Sequence, residues 1–342
     1  MSRHPLNSLH ARMRAAVITA PGGPEVLAVR DVPRPTPQGE EVLVRVHASA
    51  LNRADLLQRE GRYPAPAGAP RDIPGLEFAG EIVELGPSAR ERRVGERVFG
   101  IVGGGAHAEY LAMHERAAAT VPDGMAWSDA GATPEAFITA HDALLTQGGL
   151  RPSERVLIHA VGSGVGLAAV QLVRAAGGTP YGTSRTPDKI ERAREVGLED
   201  GIALGDDLAP LADAVSRWTA GTGVELVLDL VGGPYTPASV AALATRGRLM
   251  LVGTVAGRRA ELDLGQLLGK RATIRGTVLR ARPLEEKILA TRAFAAEVVP
   301  LLARGVVRPV IDSEWPLDAI ADAYRHLAGN ATVGKVVVTV AG

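Results

Sequence analysis

The spacing of apolar positions changes near Trp127. Before it, apolar residues fall in short, often alternating runs broken by glycine and proline, which is typical of strands and turns. After it, apolar runs of strand length alternate with segments whose apolar residues recur at helical spacing. Strands that alternate with helices indicate a parallel sheet covered on both faces. The sequence therefore predicts an α/β protein with a β-rich first part and a doubly wound second part.

The predicted elements follow this change of spacing. In the first part they are strands at 13–20, 26–32, 41–47, 78–84 and 96–99, and a short helix at 52–58. In the second part they are strands at 156–159, 180–183, 224–230 and 248–252, and helices at 128–146, 187–196, 209–219 and 235–244. Ser128 or Asp129 is the expected N-cap of the first of these helices.

Beyond residue 280 the alternation stops. A helix is predicted at 284–302, a strand at 310–314, a helix at 318–327 and a last strand at 335–340. This last part lacks the regular alternation of strands and helices, so we expect it to pack with the β-rich first part of the chain.

A glycine-rich turn links the first strand of the second part to its helix. Residues 160–166 join the apolar run 156–159 to a helix that ends at Gly177. Glycine lets the backbone approach a pyrophosphate closely, and the helix N-terminus attracts its negative charge. The spacing falls short of G-x-G-x-x-G, so an ordinary strand-to-helix turn is the alternative. The candidate cofactor-binding residues of this turn are Gly162, Ser163, Gly164, Val165 and Gly166.

The end of the next strand predicts which nicotinamide cofactor binds. An acidic residue about 20 residues after the glycine turn usually holds the ribose 2′-hydroxyl of NAD. Counting on from Gly164 reaches Ser184 instead, followed by Arg185 and, one turn into the next helix, Lys189. These side chains suit a ribose 2′-phosphate, so we expect NADPH. Asp188 is expected in the first helical turn, pointing away from the ribose; the alternative is a polar loop with no cofactor role.

Further candidates come from the carboxyl ends of the later strands, where parallel sheets bind ligands. These candidate cofactor contacts are Val231, Gly232, Gly253, Thr254 and Leu279. Asp229 lies in an apolar run and is interpreted as a structural carboxylate with its hydrogen bonds satisfied, because a buried charge needs partners. Glu77 is interpreted as a buried partner of a nearby arginine.

Composition narrows the function. The 342 residues are 46% hydrophobic and 22% charged with a net charge of zero, so no strong field attracts nucleic acid or a membrane. There is no cysteine, which excludes disulfides, thiolate catalysis and cysteine-ligated zinc. No apolar run is long enough to span a bilayer, and residues 1–12 are polar and basic, unlike a secretory signal. We expect a cytoplasmic protein with a loose N-terminal extension.

Several segments, in the same order, resemble one family. They are residues 51–58 (LNRADLLQ), 61–64 (GRYP), 73–80 (IPGLEFAG), 94–98 (VGERV), 108–110 (AEY), 163–166 (SGVG) and 228–233 (LDLVGG). Over about residues 13–340 the chain is similar to the zinc-independent quinone oxidoreductases of the medium-chain dehydrogenase/reductase superfamily.

The resemblance implies a split catalytic domain, residues 1–136 and 280–342, built around a GroES-like distorted β-barrel. A Rossmann domain that binds NADP, residues 137–279, is inserted between the two parts. The active cleft is expected between the domains, with the nicotinamide at its floor. A homodimer is also expected, formed when the last strand of the Rossmann domain, within 271–279, pairs with its two-fold mate.

The resemblance also implies roles for side chains outside the glycine turn. Asn52 and Tyr63 match positions that face the nicotinamide and the acceptor, where an amide and a phenol could stabilise a developing oxyanion. The alternatives are a helix N-cap for Asn52 and packing against the Pro64 loop for Tyr63. Thr139 matches a position near the nicotinamide, and the alternative is an ordinary helix residue. Lys335 matches one that reaches over the cofactor, and the alternative is a solvated lysine.

No metal site is predicted. Zinc-dependent relatives bind their catalytic zinc through Cys and His where this chain has Asn52 and Leu76, and such a zinc needs three protein ligands beside an open position. His107 and His114 lie on either side of a strand-like segment and are interpreted as surface or second-sphere residues.

Together these features predict an NADPH-dependent, zinc-free oxidoreductase that transfers a hydride to quinones or similar conjugated carbonyls. Such acceptors spread negative charge over a conjugated system and so need no Lewis acid. The alternatives are an enoyl-thioester reductase on the same scaffold and a cofactor- or RNA-binding protein without turnover. The lack of a basic cluster disfavours a coenzyme A trough and an RNA surface. The expected partners are a small quinone or enone and a second copy of the chain.

Overall fold

The structure is a computed structural model that describes residues 12–340. These residues form two compact units. The terminal unit contains the chain up to Glu135, Arg280–Ala303 and the chain from Val310. The central unit contains Ala136–Leu279 and Arg304–Pro309. The predicted N-terminal extension, residues 1–12, lies outside the described residues except for its last residue, with which the first strand begins.

The described secondary structure follows the chain in this order. The strands are β1 (Arg12–Ile18), β2 (Leu27–Pro33), β3 (Glu41–Ala50), β4 (Glu77–Leu85), β5 (Arg97–Ile101), β6 (Tyr110–His114), β7 (Ala118–Thr120), β8 (Arg155–Ile158), β9 (Thr179–Ser184), β10 (Asp200–Ala203), β11 (Val224–Asp229), β12 (Leu243–Leu251), β13 (Thr273–Gly276), β14 (Ile311–Pro316) and β15 (Lys335–Thr339). The α-helices are α1 (Arg53–Arg59), α2 (Trp127–Gly131), α3 (Pro134–His141), α4 (Gly164–Ala175), α5 (Pro187–Arg194), α6 (Pro210–Thr219), α7 (Tyr235–Ala242), α8 (Leu264–Lys270), α9 (Leu284–Glu297), α10 (Val299–Ala303) and α11 (Ile320–Ala328). Asp142–Gln147 forms a π-helical turn after α3.

The terminal unit is built on strands from both ends of the chain. β1 and β2 form an antiparallel hairpin, and a larger sheet has the order β14-β15-β3-β4-β5-β7, with β6 paired to β3. β15, the last strand, pairs antiparallel with β3 and parallel with β14. The core of this unit includes Val44, Phe78, Ile82 and Tyr324, all fully buried. The strand predicted at 335–340 thus joins the sheet formed by the first part of the chain.

The central unit contains a parallel sheet in the order β10-β9-β8-β11-β12-β13. β8, β9 and β10 run outward in one direction, and the chain then crosses back to place β11 on the other side of β8. Sheets of this type bind ligands outside the carboxyl ends of their strands, at the point where the strand order reverses. Val156, Leu157 and Ile158 of β8 are fully buried, as expected for a strand covered on both faces. The predicted doubly wound parallel sheet is confirmed.

One long predicted helix is interrupted. The segment 128–146 divides into α2, α3 and the π-helical turn. Pro134 has no N–H to continue the preceding helix, and its fixed φ angle makes it a favourable first residue for α3. The N-cap of α2 is Ala126, so the expected cap at Ser128 or Asp129 is wrong.

Other differences concern short or paired elements. The helix predicted at 284–302 is present as α9 followed by α10. The sequence did not predict β7, β10 or α8. β10 has Ile202 as its only large apolar residue, and pairing with β9 gives it the strand conformation that its own pattern does not specify. No helix within residues 12–340 is long and apolar enough to cross a membrane.

Candidate active site

The glycine-rich turn of the central unit follows β8, at the switch point of the sheet. Ser163 is the N-cap of α4, and its Oγ accepts a hydrogen bond of 3.1 Å from the backbone N–H of Gly166. A Cβ atom on Gly166 would lie 2.6 Å from the carbonyl oxygen of Ala160, so the close approach of helix and strand requires glycine here. A helix N-terminus offers backbone N–H groups to a pyrophosphate, so the turn fits a dinucleotide.

Lys189 lies against this turn. A Cβ atom on Gly162 would come within 2.9 Å of the Lys189 Cβ and 3.1 Å of its Cδ, so the aliphatic part of the lysine side chain packs directly on the turn. Helix α5, which carries Lys189, begins at Pro187, as predicted, and its N-cap is Thr186. The structure therefore brings together two candidate cofactor residues that are distant in the sequence.

The tip of β9 carries the other residues predicted to distinguish NADPH from NADH. Ser184 is the last residue of β9 and is buried, and its carbonyl accepts a 2.7 Å hydrogen bond from the N–H of Leu204. Arg185 follows and is exposed. Asp188 is exposed in the first turn of α5, where a hydrogen bond with the side chain of Thr186 lowers its pKa. The tip of the strand itself carries no carboxylate.

A buried carboxylate shapes the loop after β11. Asp229 is fully buried, and its Oδ1 accepts hydrogen bonds from the N–H groups of Val231 at 2.9 Å and Gly232 at 2.8 Å. Its Oδ2 accepts a hydrogen bond of 3.0 Å from the hydroxyl of Thr236. The interpretation of Asp229 as a satisfied structural carboxylate is confirmed. Its effect is to fix two candidate cofactor contacts at the carboxyl end of the sheet.

The remaining candidate contacts of the central unit differ in exposure. Gly253 follows β12, and a Cβ atom there would lie 2.2 Å from the carbonyl oxygen of Leu230. Thr254 is exposed, whereas Leu279 is buried. Thr139 is buried near the end of α3, just before the π-helical turn. Gly253 is therefore required by backbone packing in addition to its predicted role.

In the terminal unit, a buried ion pair holds Asn52. The ammonium of Lys335 lies 2.6 Å from Glu77 Oε1 and donates to Asn52 Oδ1, also at 2.6 Å. It donates further to the carbonyl oxygen of Leu51 at 3.0 Å. Asn52 Nδ2 donates to Glu77 Oε1 at 2.9 Å. The Lys335 side chain is 5% exposed and that of Glu77 is 0% exposed, so the cluster is shielded from solvent.

This cluster corrects the interpretation of Glu77 and bears on the alternatives for Lys335 and Asn52. The partner of Glu77 is Lys335 rather than an arginine. Lys335 is buried, so its alternative as a solvated lysine is wrong, and its ammonium contacts Glu77, Asn52 and the carbonyl oxygen of Leu51. A contact between Lys335 and the cofactor stays a prediction. Asn52 is the N-cap of α1, as the alternative proposed, and its backbone N–H donates to Asp55 Oδ2 at 2.8 Å.

Two further buried groups lie behind Asn52. The hydroxyl of Ser49 donates to the carbonyl of Glu77 at 2.7 Å, so it accepts from His107 Nδ1, which lies 3.0 Å away. His107 is fully buried rather than at the surface, and burial lowers its pKa to about 3. Asp55 accepts a hydrogen bond of 3.0 Å from the N–H of Gly75, and burial raises its pKa to about 6. Both groups support the cluster from inside the unit.

Comparison with known proteins identifies the family. The chain matches the family described as alcohol dehydrogenase GroES-like domain over residues 38–123, and that described as zinc-binding dehydrogenase over residues 206–338. It is 34% identical over 320 residues to a quinone oxidoreductase of Pseudomonas aeruginosa, with 93% of this chain and 96% of that protein covered. The chain belongs to the quinone oxidoreductase branch of the medium-chain dehydrogenase/reductase superfamily. The predicted family and GroES-like domain are confirmed.

Two further similarities extend this result. The structure of a mycobacterial protein in complex with NADPH has a TM-score of 0.85 and 28% identity, and covers 96% of this chain and 100% of that one. The polyketide synthase GfsB of Streptomyces halstedii is 32% identical over 301 residues, 88% of this chain, but the chain spans 5% of the length of that synthase. As a member of the medium-chain family, this oxidoreductase uses a nicotinamide cofactor.

Tyr63 of this medium-chain oxidoreductase packs on a buried arginine. The Arg280 Cζ lies 5.0 Å from the centroid of the Tyr63 ring. Arg280 donates to the carbonyl of Gly103 at 2.7 and 2.9 Å and to Gln58 Oε1. Within residues 12–340 the phenol of Tyr63 has no hydrogen-bond partner. Sequence analysis did not find Arg280, because an arginine outside any periodic segment gives no local signal of burial.

The positions matched to zinc ligands carry other contacts in this oxidoreductase. Asn52 is bonded to Lys335 and Glu77, and Leu76 is buried. His114, the other histidine considered, is partly buried, and its Nδ1 accepts a hydrogen bond of 3.2 Å from the N–H of Arg116. Within the described part of the chain, no group of three or more His, Asp and Glu side chains is placed to hold a metal ion.

Proposed function

We propose that the chain is an NADPH-dependent reductase that transfers a hydride to quinones or similar conjugated carbonyls without zinc. The observation that carries this proposal is the 34% identity to a quinone oxidoreductase over 93% of the chain. Lys189, which packs on the glycine turn, supports a cofactor that carries a ribose 2′-phosphate. Quinones accept a hydride at an electron-poor centre, so positioning and one or two hydrogen-bond donors supply the catalysis.

We assign different roles to the two candidate catalytic side chains. Asn52 has its amide oxygen bonded to Lys335 and its amide nitrogen bonded to Glu77, so it is fixed in place by two charged neighbours. The second N–H of this amide donates to the carbonyl oxygen of Ala50 at 3.3 Å, so both N–H groups already have acceptors and neither is left for a developing oxyanion. Tyr63 has a phenol without a partner among the described residues, and Arg280 behind its ring favours negative charge nearby. We therefore propose Tyr63 as the donor to the acceptor oxygen.

The acceptor is tested by NADPH oxidation with 9,10-phenanthrenequinone, with crotonyl thioester and with no acceptor, each before and after treatment with a chelator. Reduction of the quinone at an unchanged rate after chelation is expected. Stoichiometric zinc in the purified protein, with activity lost when it is removed, would contradict the zinc-free proposal. The absence of turnover with either acceptor would favour a cofactor-binding protein.

An enoyl-thioester reductase is the second candidate. The similarity to a segment of a polyketide synthase, 32% identical over 88% of this chain, favours it. Both reactions deliver a hydride to a conjugated carbonyl system, so the same cofactor site serves either. A kcat/KM for the crotonyl thioester well above that for the quinone would replace the first proposal by this one.

Replacing Tyr63 by phenylalanine is expected to lower kcat/KM for the acceptor by about tenfold or more, which corresponds to about 1.4 kcal/mol of transition-state stabilisation. The affinity for NADPH should not change, because the substitution removes only the phenol oxygen. Tyr110→Phe is a matched control, since Tyr110 also packs under an arginine, with the Arg34 Cζ at 4.6 Å from its ring centroid. Equal rates in the Tyr63 variant and the control would show that Tyr63 only packs.

NADPH is expected to exceed NADH in kcat/KM by at least about tenfold, because charge-assisted hydrogen bonds to the 2′-phosphate are lost with NADH. The proposed ligands of the 2′-phosphate are Ser184, Arg185 and Lys189. Arg185→Ala combined with Lys189→Ala should remove most of the preference. Arg192→Ala is the matched control, because Arg192 lies on the same helix but pairs with Glu195. Equal use of NADH by the unmodified protein would show that this assignment is wrong.

We also propose that two copies of the chain pair through β13. This strand is the edge of the parallel sheet, and Val278 just after it is exposed. The preceding helix α8 exposes two large apolar side chains, with Leu264 at 64% and Leu268 at 76%. An open strand edge beside apolar side chains suits a second identical edge.

Light scattering at micromolar concentration is expected to give twice the mass of one chain. Leu268→Glu should yield monomers, because it places a charge in the proposed interface. Leu289→Glu, on the exposed face of α9, is the matched control and should leave the mass unchanged. The mass of one chain for the unmodified protein would rule out this dimer.

A further inference from the structure

One buried histidine connects three elements of the central unit. His159 directly follows β8 and is fully buried. Its Nδ1 lies 2.8 Å from the hydroxyl of Thr183, in β9. Its Nε2 lies 2.8 Å from the hydroxyl of Ser239, in α7. A single imidazole therefore joins the ends of two strands and a helix by short hydrogen bonds.

The direction of both hydrogen bonds follows from Ser239. Its hydroxyl donates its only hydrogen to the carbonyl oxygen of Tyr235 at 2.7 Å. It must then accept from His159, so Nε2 carries the proton and Nδ1 accepts from the hydroxyl of Thr183. In this tautomer every polar atom of the three side chains has a complementary partner. Burial also lowers the pKa of His159 to about 4, which keeps the ring neutral.

The three joined elements lead to the three loops predicted to bind the cofactor. His159 precedes the turn 160–166, and Thr183 precedes the strand tip at 184–185. Helix α7 follows the loop 231–234, which the buried carboxylate at the end of β11 fixes by two hydrogen bonds. The Tyr235 ring at the start of α7 packs edge-on against the imidazole, with ring centroids 5.0 Å apart. The imidazole is thus a shared anchor beneath these loops.

We propose that His159 is a positioning residue for the cofactor: its neutral imidazole keeps the three loops at one mutual spacing before the cofactor binds. Loops that are already ordered lose little conformational entropy when the cofactor binds, so preorganisation of the loops increases the affinity for the cofactor. The inference rests on the proposed function only in that a nicotinamide dinucleotide binds at these loops. His159 itself contacts no reacting atom, so it should act on cofactor affinity and leave the chemical step unchanged.

The test measures the Kd of NADPH, kcat at saturating NADPH and urea unfolding for four single and two double variants. His159→Leu should raise the Kd about tenfold or more, because two buried hydrogen bonds are lost, with kcat within about twofold of the unmodified protein. Thr183→Val and Ser239→Ala each remove one bond and should raise the Kd by about threefold. In the His159→Leu background these two substitutions should add little, because the shared anchor is already gone.

Thr219→Val is the matched control. Thr219 is also buried in the central unit and uses its hydroxyl fully, donating to Val215 and accepting from the N–H of Gly223. It lies before the amino end of β11, opposite the cofactor loops, so it should lower stability without changing the Kd of NADPH.

Three outcomes are decisive. A Kd for His159→Leu within twofold of the unmodified protein, or an equal rise in Kd for Thr219→Val, would overturn the inference. If His159→Leu does not fold, Thr183→Val and Ser239→Ala are compared with Thr219→Val instead, and a rise in Kd no larger than that of the control would overturn the inference. Failure of the unmodified protein to bind NADPH or NADH would instead contradict the proposed function. This binding is measured before any variant is tested.

Discussion

Lowering the pH from 7 to about 4.5 is expected to remove about 3 kcal/mol from the free energy of unfolding, a large fraction of the stability of a typical domain. The main cause is a set of histidines buried in the neutral form. Burial lowers the pKa of His107 to about 3 and that of His159 to about 4, and the pKa of His47 is lowered too.

The sign follows from which state binds protons first. An unfolded histidine takes up a proton near pH 6.5, while His107 and His159 stay neutral in the folded state until far lower pH. Their contribution is complete above about pH 6.5, and each loses about 1.4 kcal/mol for every pH unit below it until the folded pKa is reached. Asp55 opposes this loss, because its pKa is raised to about 6 and the folded state gains its proton first. At about pH 4.5 two histidines lose about 5 kcal/mol and Asp55 returns about 2.

Urea unfolding at pH 7, 5.5 and 4.5, followed by tryptophan fluorescence, measures this slope. His107→Gln should reduce the slope between pH 6 and 4.5, even though it also lowers stability at pH 7. Asp55→Asn should make the acid loss steeper, because the opposing proton uptake is removed. A free energy of unfolding that stays constant from pH 7 to 4.5 would contradict the burial of neutral histidines.

Breaking the buried ion pair should lower the stability at neutral pH by at least as much. Lys335→Met is expected to lower the free energy of unfolding by about 3–5 kcal/mol, because it leaves the fully buried carboxylate of Glu77 without its cation. Glu77→Gln should have a similar cost, since it leaves the ammonium without its counter-charge. The double variant should recover part of the sum, because no isolated charge remains in the interior.

The matched control is an exposed pair. Arg174 and Glu199 form an ion pair whose side chains are 41% and 49% exposed. Arg174→Met should therefore cost less than about 1 kcal/mol. Equal costs for Lys335→Met and Arg174→Met would show that burial does not strengthen the interior pair. The activity of the Lys335 variant, measured where it is folded, reports separately on the positioning of Asn52.

The sequence could predict those features that depend on neighbours along the chain. The apolar run of β8, the glycine turn and the helix start at Pro187 are local patterns, and the structure has all three. The partner of Glu77 could not be predicted in this way, because Lys335 reaches it only when β15 pairs with β3. No periodicity carries information about which distant strands become neighbours.

Buried polar groups were missed for a related reason. Arg280 lies in a segment without periodic apolar residues, so nothing local indicates that it is buried against Tyr63. His159 was placed within a strand-like run as if it were another apolar position, and its partners in β9 and α7 come from separate segments. Such groups depend on exact hydrogen-bond partners, which only the assembled fold defines.

The position of β15 has a consequence for synthesis of the protein on the ribosome. This strand is translated after all the other strands of the terminal unit's sheet, yet it lies between β14 and β3 within that sheet. The earlier strands of that sheet cannot complete their pairing until β15 is made. The strands of the central unit are contiguous in the chain and have left the exit tunnel by then. During that interval the carboxylate of Glu77 has no cation, and the edge of β3 is open to association with other nascent chains. The time until β15 is translated and paired therefore decides how long each new molecule is open to aggregation through this edge.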